Sequence, residues 1–127
     1  MTEGELERFV ASGVPAPSGA YSHGAVAGGL IFTAGMGPLR ADGTVVEGDV
    51  GDQTEQVLHN LEAVLAARGR SLSDVVKVTV HLADVGRDFA GFDAAYRRVM
   101  PAPYPVRTTV GSTLPGILVE IDVVALA

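Results

Sequence analysis

Residues 75–82 constrain the fold more than any other stretch, because Val76, Val78, Val80 and Leu82 alternate with Lys77, Thr79 and His81. Side chains along a strand alternate between faces, so this segment predicts a strand with one apolar and one more polar face. Such a strand needs a covering layer on one side. The flanking segments can supply it. Val57, Leu58, Leu61, Val64 and Leu65 recur at helical spacing. Asp52 is the expected N-cap there, Glu55 completes a capping-box pattern and Gly69 is the stop. A second helix is expected from near Asp88, with Phe89, Phe92, Tyr96 and Val99 as its apolar stripe. Pro101, Pro103 and Pro105 end it and keep the connection extended.

Three further strands follow from pattern and punctuation. Ala25 to Phe32 is expected as one strand ending near Thr33-Ala34-Gly35, with a turn or hairpin marked by Gly37, Pro38, Asp42 and Gly43. Val106 to Val110 is another. In the last, Leu118 to Ala125, the residues Val119, Ile121, Val123 and Ala125 point one way, and Leu118, Glu120, Asp122 and Val124 the other. The expected order is β, β, α, β, α, β, β in one α/β domain over residues 1–127, with 1–12 a variable N-terminal segment. Two helices can cover only one face of such a sheet. The other must meet solvent or another sheet.

Composition narrows the function. The 127 residues suffice for one core, and with no cysteine neither a disulfide framework nor a thiolate metal site is possible. Nine basic against fifteen acidic residues give a net charge of −6, which argues against a nucleic-acid partner and against an anionic membrane surface. No apolar run reaches transmembrane length, and the N-terminal MTEGELERF has no signal-peptide pattern, so a cytoplasmic location is expected. The hydrophobic fraction of 47% is high for a small monomer and points to a subunit interface.

Nucleophile-elbow, P-loop and dinucleotide signatures are absent. His23, His59 and His81 fall on different elements, and His59 with Glu62 on one helix face is too few ligands for a metal. Arg107 begins a strand among apolar neighbours and therefore needs an anionic partner. That partner is either a carboxylate of the chain, such as Glu120 or Asp122, or the carboxylate of a bound substrate held bidentately. Glu120 lies mid-strand in an apolar segment, with Asp122 on the same face. It is either charge protecting an edge strand or a carboxylate that orients water and moves protons.

Several segments together resemble the RidA family, also called YjgF or the reactive-intermediate deaminase family. They are Gly19-Ala20-Tyr21-Ser22, IFTAG at Ile31 to Gly35, Gln53-Thr54, Asn60-Leu61, DVVKVTVHLAD at Asp74 to Asp84, PVRTTV at Pro105 to Val110 and LVEIDVVA at Leu118 to Ala125. The resemblance runs from about Gly13 to the C-terminus. It implies a chorismate-mutase-like α/β (α+β) fold, a mixed sheet with two helices on one face, and a homotrimer whose sheets face inward with sites between neighbouring subunits. The implied activity is hydrolysis of small 2-imino acids, such as 2-iminopropanoate or 2-iminobutanoate, to 2-keto acids and ammonia, without cofactor or metal.

By the same resemblance Arg107 matches the arginine that grips the substrate carboxylate and Glu120 the glutamate associated with the attacking water. Tyr21 lines the site, Gly35 presents backbone near the substrate, and the backbone of Thr109 helps hold the water. The chemistry is compatible, since an imine carbon is already electrophilic and needs a fixed carboxylate, a placed water and proton management. The chain departs from many deaminating members. Ala34 and Met36 replace a serine and a glutamine, Asp93 replaces an asparagine, and the connection from Arg107 to Glu120 is shorter. The alternatives are a non-catalytic trimeric module that binds small carboxylates or a partner, and a divergent hydrolase of another small substrate. Ribonuclease activity fits the acidic charge least.

Overall fold

A computed structural model describes residues 4–127. Six strands and two long helices run in the order β1 (Leu6–Phe9), β2 (Gly24–Ala27), β3 (Leu30–Thr33), α1 (Val50–Ala66), β4 (Val75–Leu82), α2 (Val85–Val99), β5 (Val106–Gly111) and β6 (Val119–Leu126). The sheet order is β1-β2-β3-β6-β4-β5. Only β4 and β5 pair in parallel, joined by the crossover through α2. No helix among the described residues is long and apolar enough to cross a membrane.

Both helices lie on one face. Val57, Leu58, Leu61, Val64 and Leu65 of α1 and Phe92 of α2 are fully buried against Ile31, Val78, Val80, Leu82, Ile121 and Val123. Each such side chain contributes about 1.5–3 kcal/mol over its exposed state. No helix among the described residues lies on the opposite face. Register aligns rows across it: Ala25, Phe32, Val124, Lys77 and Val106 form one, Asp122, Thr79 and Thr108 the next, and Glu120, His81 and Val110 the third. Phe32 there is 43% exposed and Val106 65%.

Local chemistry corrects several expectations. Ala25 to Phe32 is a hairpin and not a single strand, because Gly28 and Gly29 both take positive φ (58° and 78°), the pattern of a tight type I′ turn. The strand expected after Gly35 is reduced to a Leu39–Val45 bridge, while β1 adds a strand inside the segment read as variable. Residues 1–3 of that segment lie outside the described residues. The N-cap of α1 lies three residues before the expected one: it is Asp49, which exchanges hydrogen bonds of 3.0 and 3.1 Å with Asp52. Asp84 likewise caps α2 by accepting from the Arg87 amide, leaving Asp88 inside the helix. Gly69, with φ +71°, follows the last turn of α1 as expected.

The alternation in β4 is broken once. A register shift between Val75 and Lys77 inserts an extra residue, so Val75 is buried and Val76 is 45% exposed. Val78, Val80 and Leu82 keep their apolar face. In β6 the apolar side Val119, Ile121, Val123 and Ala125 is buried as expected.

Candidate active site

Arg107 and Thr109 project from β5 on the helix side, since their partners in β4 are the buried Val78 and Val80. The Arg107 Nη1 donates to Asp93 Oδ1 at 2.9 Å, and Asp93 Oδ2 accepts from Arg97 Nε at 3.0 Å. The guanidinium carbon lies 4.7 Å from the Tyr96 ring centroid, 5.1 Å from Phe92 and 5.8 Å from Phe89. Rings at such range attract the cation and hold its plane. Burial works against the charge on Asp93, but hydrogen bonds from Arg97 and Arg107 outweigh it and hold the carboxyl below its ordinary range. Burial pushes the Tyr96 phenol up, opposed by the Arg107 guanidinium beside it. Asp93, Tyr96, Arg97, Tyr104, Pro105 and Arg107 line a cleft of about 310 Å³.

The partner of Arg107 is thus Asp93 of α2, and neither Glu120 nor Asp122. Those two cannot reach it, because they project from the opposite face of the sheet. Glu120 sits across from His81, and Asp122 across from Thr79. Strand β6 lies between β3 and β4, so charge protecting a sheet edge does not account for either residue. No hydrogen bond or ion pair holds the Glu120 carboxylate among the described residues. Its neighbour is Gly35, where an added methyl would collide with the carboxylate, so only glycine allows this approach.

Gly35 shares a cavity of about 170 Å³ with Tyr21, His23, Met36 and Asn60. The walls are fixed from within. His23 Nδ1 accepts from the Ala11 amide and Nε2 contacts the Pro15 carbonyl, each at 2.9 Å, which anchors the loop carrying Tyr21. The Tyr21 hydroxyl lies 3.2 Å from the Ser18 amide. Asn60 donates to the carbonyls of Gly37 and Leu39, and Gln53 donates to Val46 and accepts from the Leu118 amide at 2.8 Å, pinning the entry to β6. Met36 is buried and pairs with Ile121, so that position belongs to the core. His59 and Glu62 are exposed on α1.

The five expected site residues therefore divide. Glu120 meets Gly35, whose cavity Tyr21 shares, while Arg107 and Thr109 lie on the opposite face of the sheet from Glu120. Three contributors were missed from sequence: Asp93, Tyr96 and Tyr104. The signal was present, since Phe89, Phe92, Asp93 and Tyr96 fall within two turns of one helix, but the aromatic stripe read as core alone.

A mixed six-stranded sheet with two helices on one face and a divided set of polar residues defines a class of small α+β domains. A family model described as Endoribonuclease L-PSP matches residues 12–127. A RutC family protein of Pyrococcus horikoshii is 44% identical over 114 residues, covering 87% of this chain and 90% of that protein. Reactive Intermediate Deaminase A, a chloroplastic protein of Arabidopsis thaliana, is 43% identical over 96 residues, covering 75% of this chain and 51% of that protein. The crystal structure of E. coli TdcF with bound serine matches with a TM-score of 0.87 at 30% identity, covering 95% of this chain and 99% of that one. The chain belongs to the endoribonuclease L-PSP family, the RidA or YjgF family of the sequence reading. The family includes an organellar protein, so membership does not set a compartment.

Proposed function

We propose that this protein hydrolyses small 2-imino acids to 2-keto acids and ammonia, in sites completed between two copies of the chain within a homotrimer. One copy contributes Arg107, with Thr109 beside it, and its neighbour contributes Tyr21, Gly35 and Glu120. The observation that carries this reading is the division of the site. An arginine walled by aromatic rings and a glutamate with no partner among the described residues stand on opposite faces of one sheet, where a single molecule of substrate cannot touch both. The exposed Phe32 and Val106 on the helix-free face supply apolar surface for such an association.

In this arrangement Arg107 holds the substrate carboxylate, and Glu120 accepts a proton from the water that attacks the imine carbon. The named deaminase among the relatives supports the reaction type, and the serine bound to TdcF supports a ligand of amino-acid size. The cytoplasm is the compartment we assign. A second reading, a carboxylate-binding module without turnover, is favoured by one observation: Asp93 already neutralises Arg107. The test is decay of 2-iminopropanoate generated in situ. Acceleration by the unmodified protein, lost in Arg107→Ala, supports hydrolysis. No acceleration, together with retained binding of a small 2-keto acid, supports the module.

A further inference from the structure

His81 lies on β4 directly across from Glu120, in the row Glu120–His81–Val110 of the helix-free face. Paired residues of adjacent antiparallel strands hold their Cβ atoms about 4.5–5.5 Å apart, within reach of two polar side chains. The ring is half-buried, and its Nδ1 lies 2.7 Å from Ser112 Oγ. This contact is not needed to fasten the loop after β5, because the Ser112 amide already donates to the Leu82 carbonyl at 2.9 Å. The Ser112 hydroxyl therefore fixes the imidazole. The charged groups that face the ring are Glu120 and Asp122 from β6 and Lys77 from its own strand; β5 presents Val110 and Thr108, which are uncharged. Burial pushes the Asp122 carboxyl up, against the charges of His81 and Lys77.

We propose that His81 is a further catalytic residue, which protonates the departing nitrogen while Glu120 takes the proton of the attacking water. The inference rests on the hydrolytic reading above. The protons balance. Water oxygen bonds to the carbon of the protonated imine, the C=N π pair moves to nitrogen, and Glu120 takes one water proton. Protonated His81 gives its proton to the amine so formed. The C–N bond then breaks, the hydroxyl proton returns to His81, and the released ammonia takes the proton from Glu120 and leaves as ammonium. An imidazole can both give and take a proton, as the two directions require.

The test combines kinetics and spectroscopy on the full chain. In His81→Gln, kcat for 2-iminopropanoate falls at least tenfold with KM nearly unchanged, and the pH dependence of kcat between about pH 5 and 8 flattens. Free imidazole in solution partly restores His81→Ala, and Ser112→Ala gives a smaller loss of kcat. Unchanged kcat and pH profile in folded His81→Gln overturns the proposal. Contact is read separately from turnover: Glu120→Gln moves the ring-nitrogen resonances of His81 and leaves those of His59 in place. No response at His81 overturns the proposal whatever the turnover. Response without any turnover in the unmodified protein overturns the hydrolytic reading, and with it the catalytic role, and leaves only the His81–Glu120 contact.

Discussion

The cleft beside α2 and the helix-free face around Glu120 treat their charges in opposite ways. In the cleft, Arg107 is walled by three aromatic rings and ion-paired to Asp93, whose carboxylate it shares with Arg97. On the other face, the Glu120 carboxylate has no ion pair among the described residues and rests against a glycine that leaves it room. Electrostatics completed inside a chain serves to fix an orientation. A half-buried carboxylate left without a partner is costly, and in the proposed function the substrate water is what meets it. One region is preorganised and the other is waiting.

Substitutions can break this contrast from either side. The largest effect belongs to Arg107→Ala, which in the proposed function removes the cation that holds the substrate carboxylate. A lost charge-assisted pair of about 3–4 kcal/mol corresponds to a fall in kcat/KM of about 10²–10³-fold, read from imine decay. Next is Gly35→Ala, whose methyl displaces the Glu120 carboxylate. Misplacing a group that positions water lowers kcat by roughly 10–100-fold with KM little changed. A loss confined to KM would contradict the role given to Glu120.

Asp93→Asn sharpens the comparison from the other side. It keeps a hydrogen-bond acceptor for Arg107 and removes the competing charge, so KM for an anionic substrate falls several-fold. Acid stability changes in a defined direction. The Asp93 carboxyl is held below its ordinary range, so its contribution to stability is present above that range and is lost as pH falls through the depressed value. Acid unfolding of the unmodified protein carries this component, and Asp93→Asn lacks it. The smallest effect is expected at the bulge. Val76→Thr changes stability by less than about 0.5 kcal/mol, whereas the larger truncation Val78→Ala, on the buried side of the same strand, costs roughly 2 kcal/mol in denaturant melts.

The same contrast explains what could be read from sequence. The apolar face of β6, the core stripe of α1 and the stop at Gly69 follow from local periodicity and glycine chemistry, and the structure keeps them. Val76 shows the limit of periodicity, because a one-residue bulge reverses a face without any change in composition. The Gly28–Gly29 turn was legible but overridden by the apolar run around it. Both helix starts were placed late because each has two acids three or four residues apart, and only geometry tells the cap from the residue inside the turn.

Arg107 and Glu120 stood out individually as charges in apolar strands. Their separation did not. It depends on parallel pairing of β4 with β5 and antiparallel pairing of β4 with β6, which set Arg107 beside Val78 and Glu120 beside His81. The choice of Asp93 as the partner of Arg107 depends on how α2 packs back over β5, a long-range outcome that the spacing of the two residues does not encode.

The central claim is that the two halves of the site meet across a boundary between copies, and subunit complementation tests it most directly. Arg107→Ala and Glu120→Gln are each expected to lose nearly all activity alone. Unfolded together in equal amounts and refolded, they form mixed assemblies in which some boundaries join an intact Arg107 from one copy to an intact Glu120 from the next. For head-to-tail contacts and random mixing, about a quarter of the boundaries are whole, so about a quarter of the unmodified imine-hydrolysing rate returns. A refolded mixture as inactive as its two components would contradict the account.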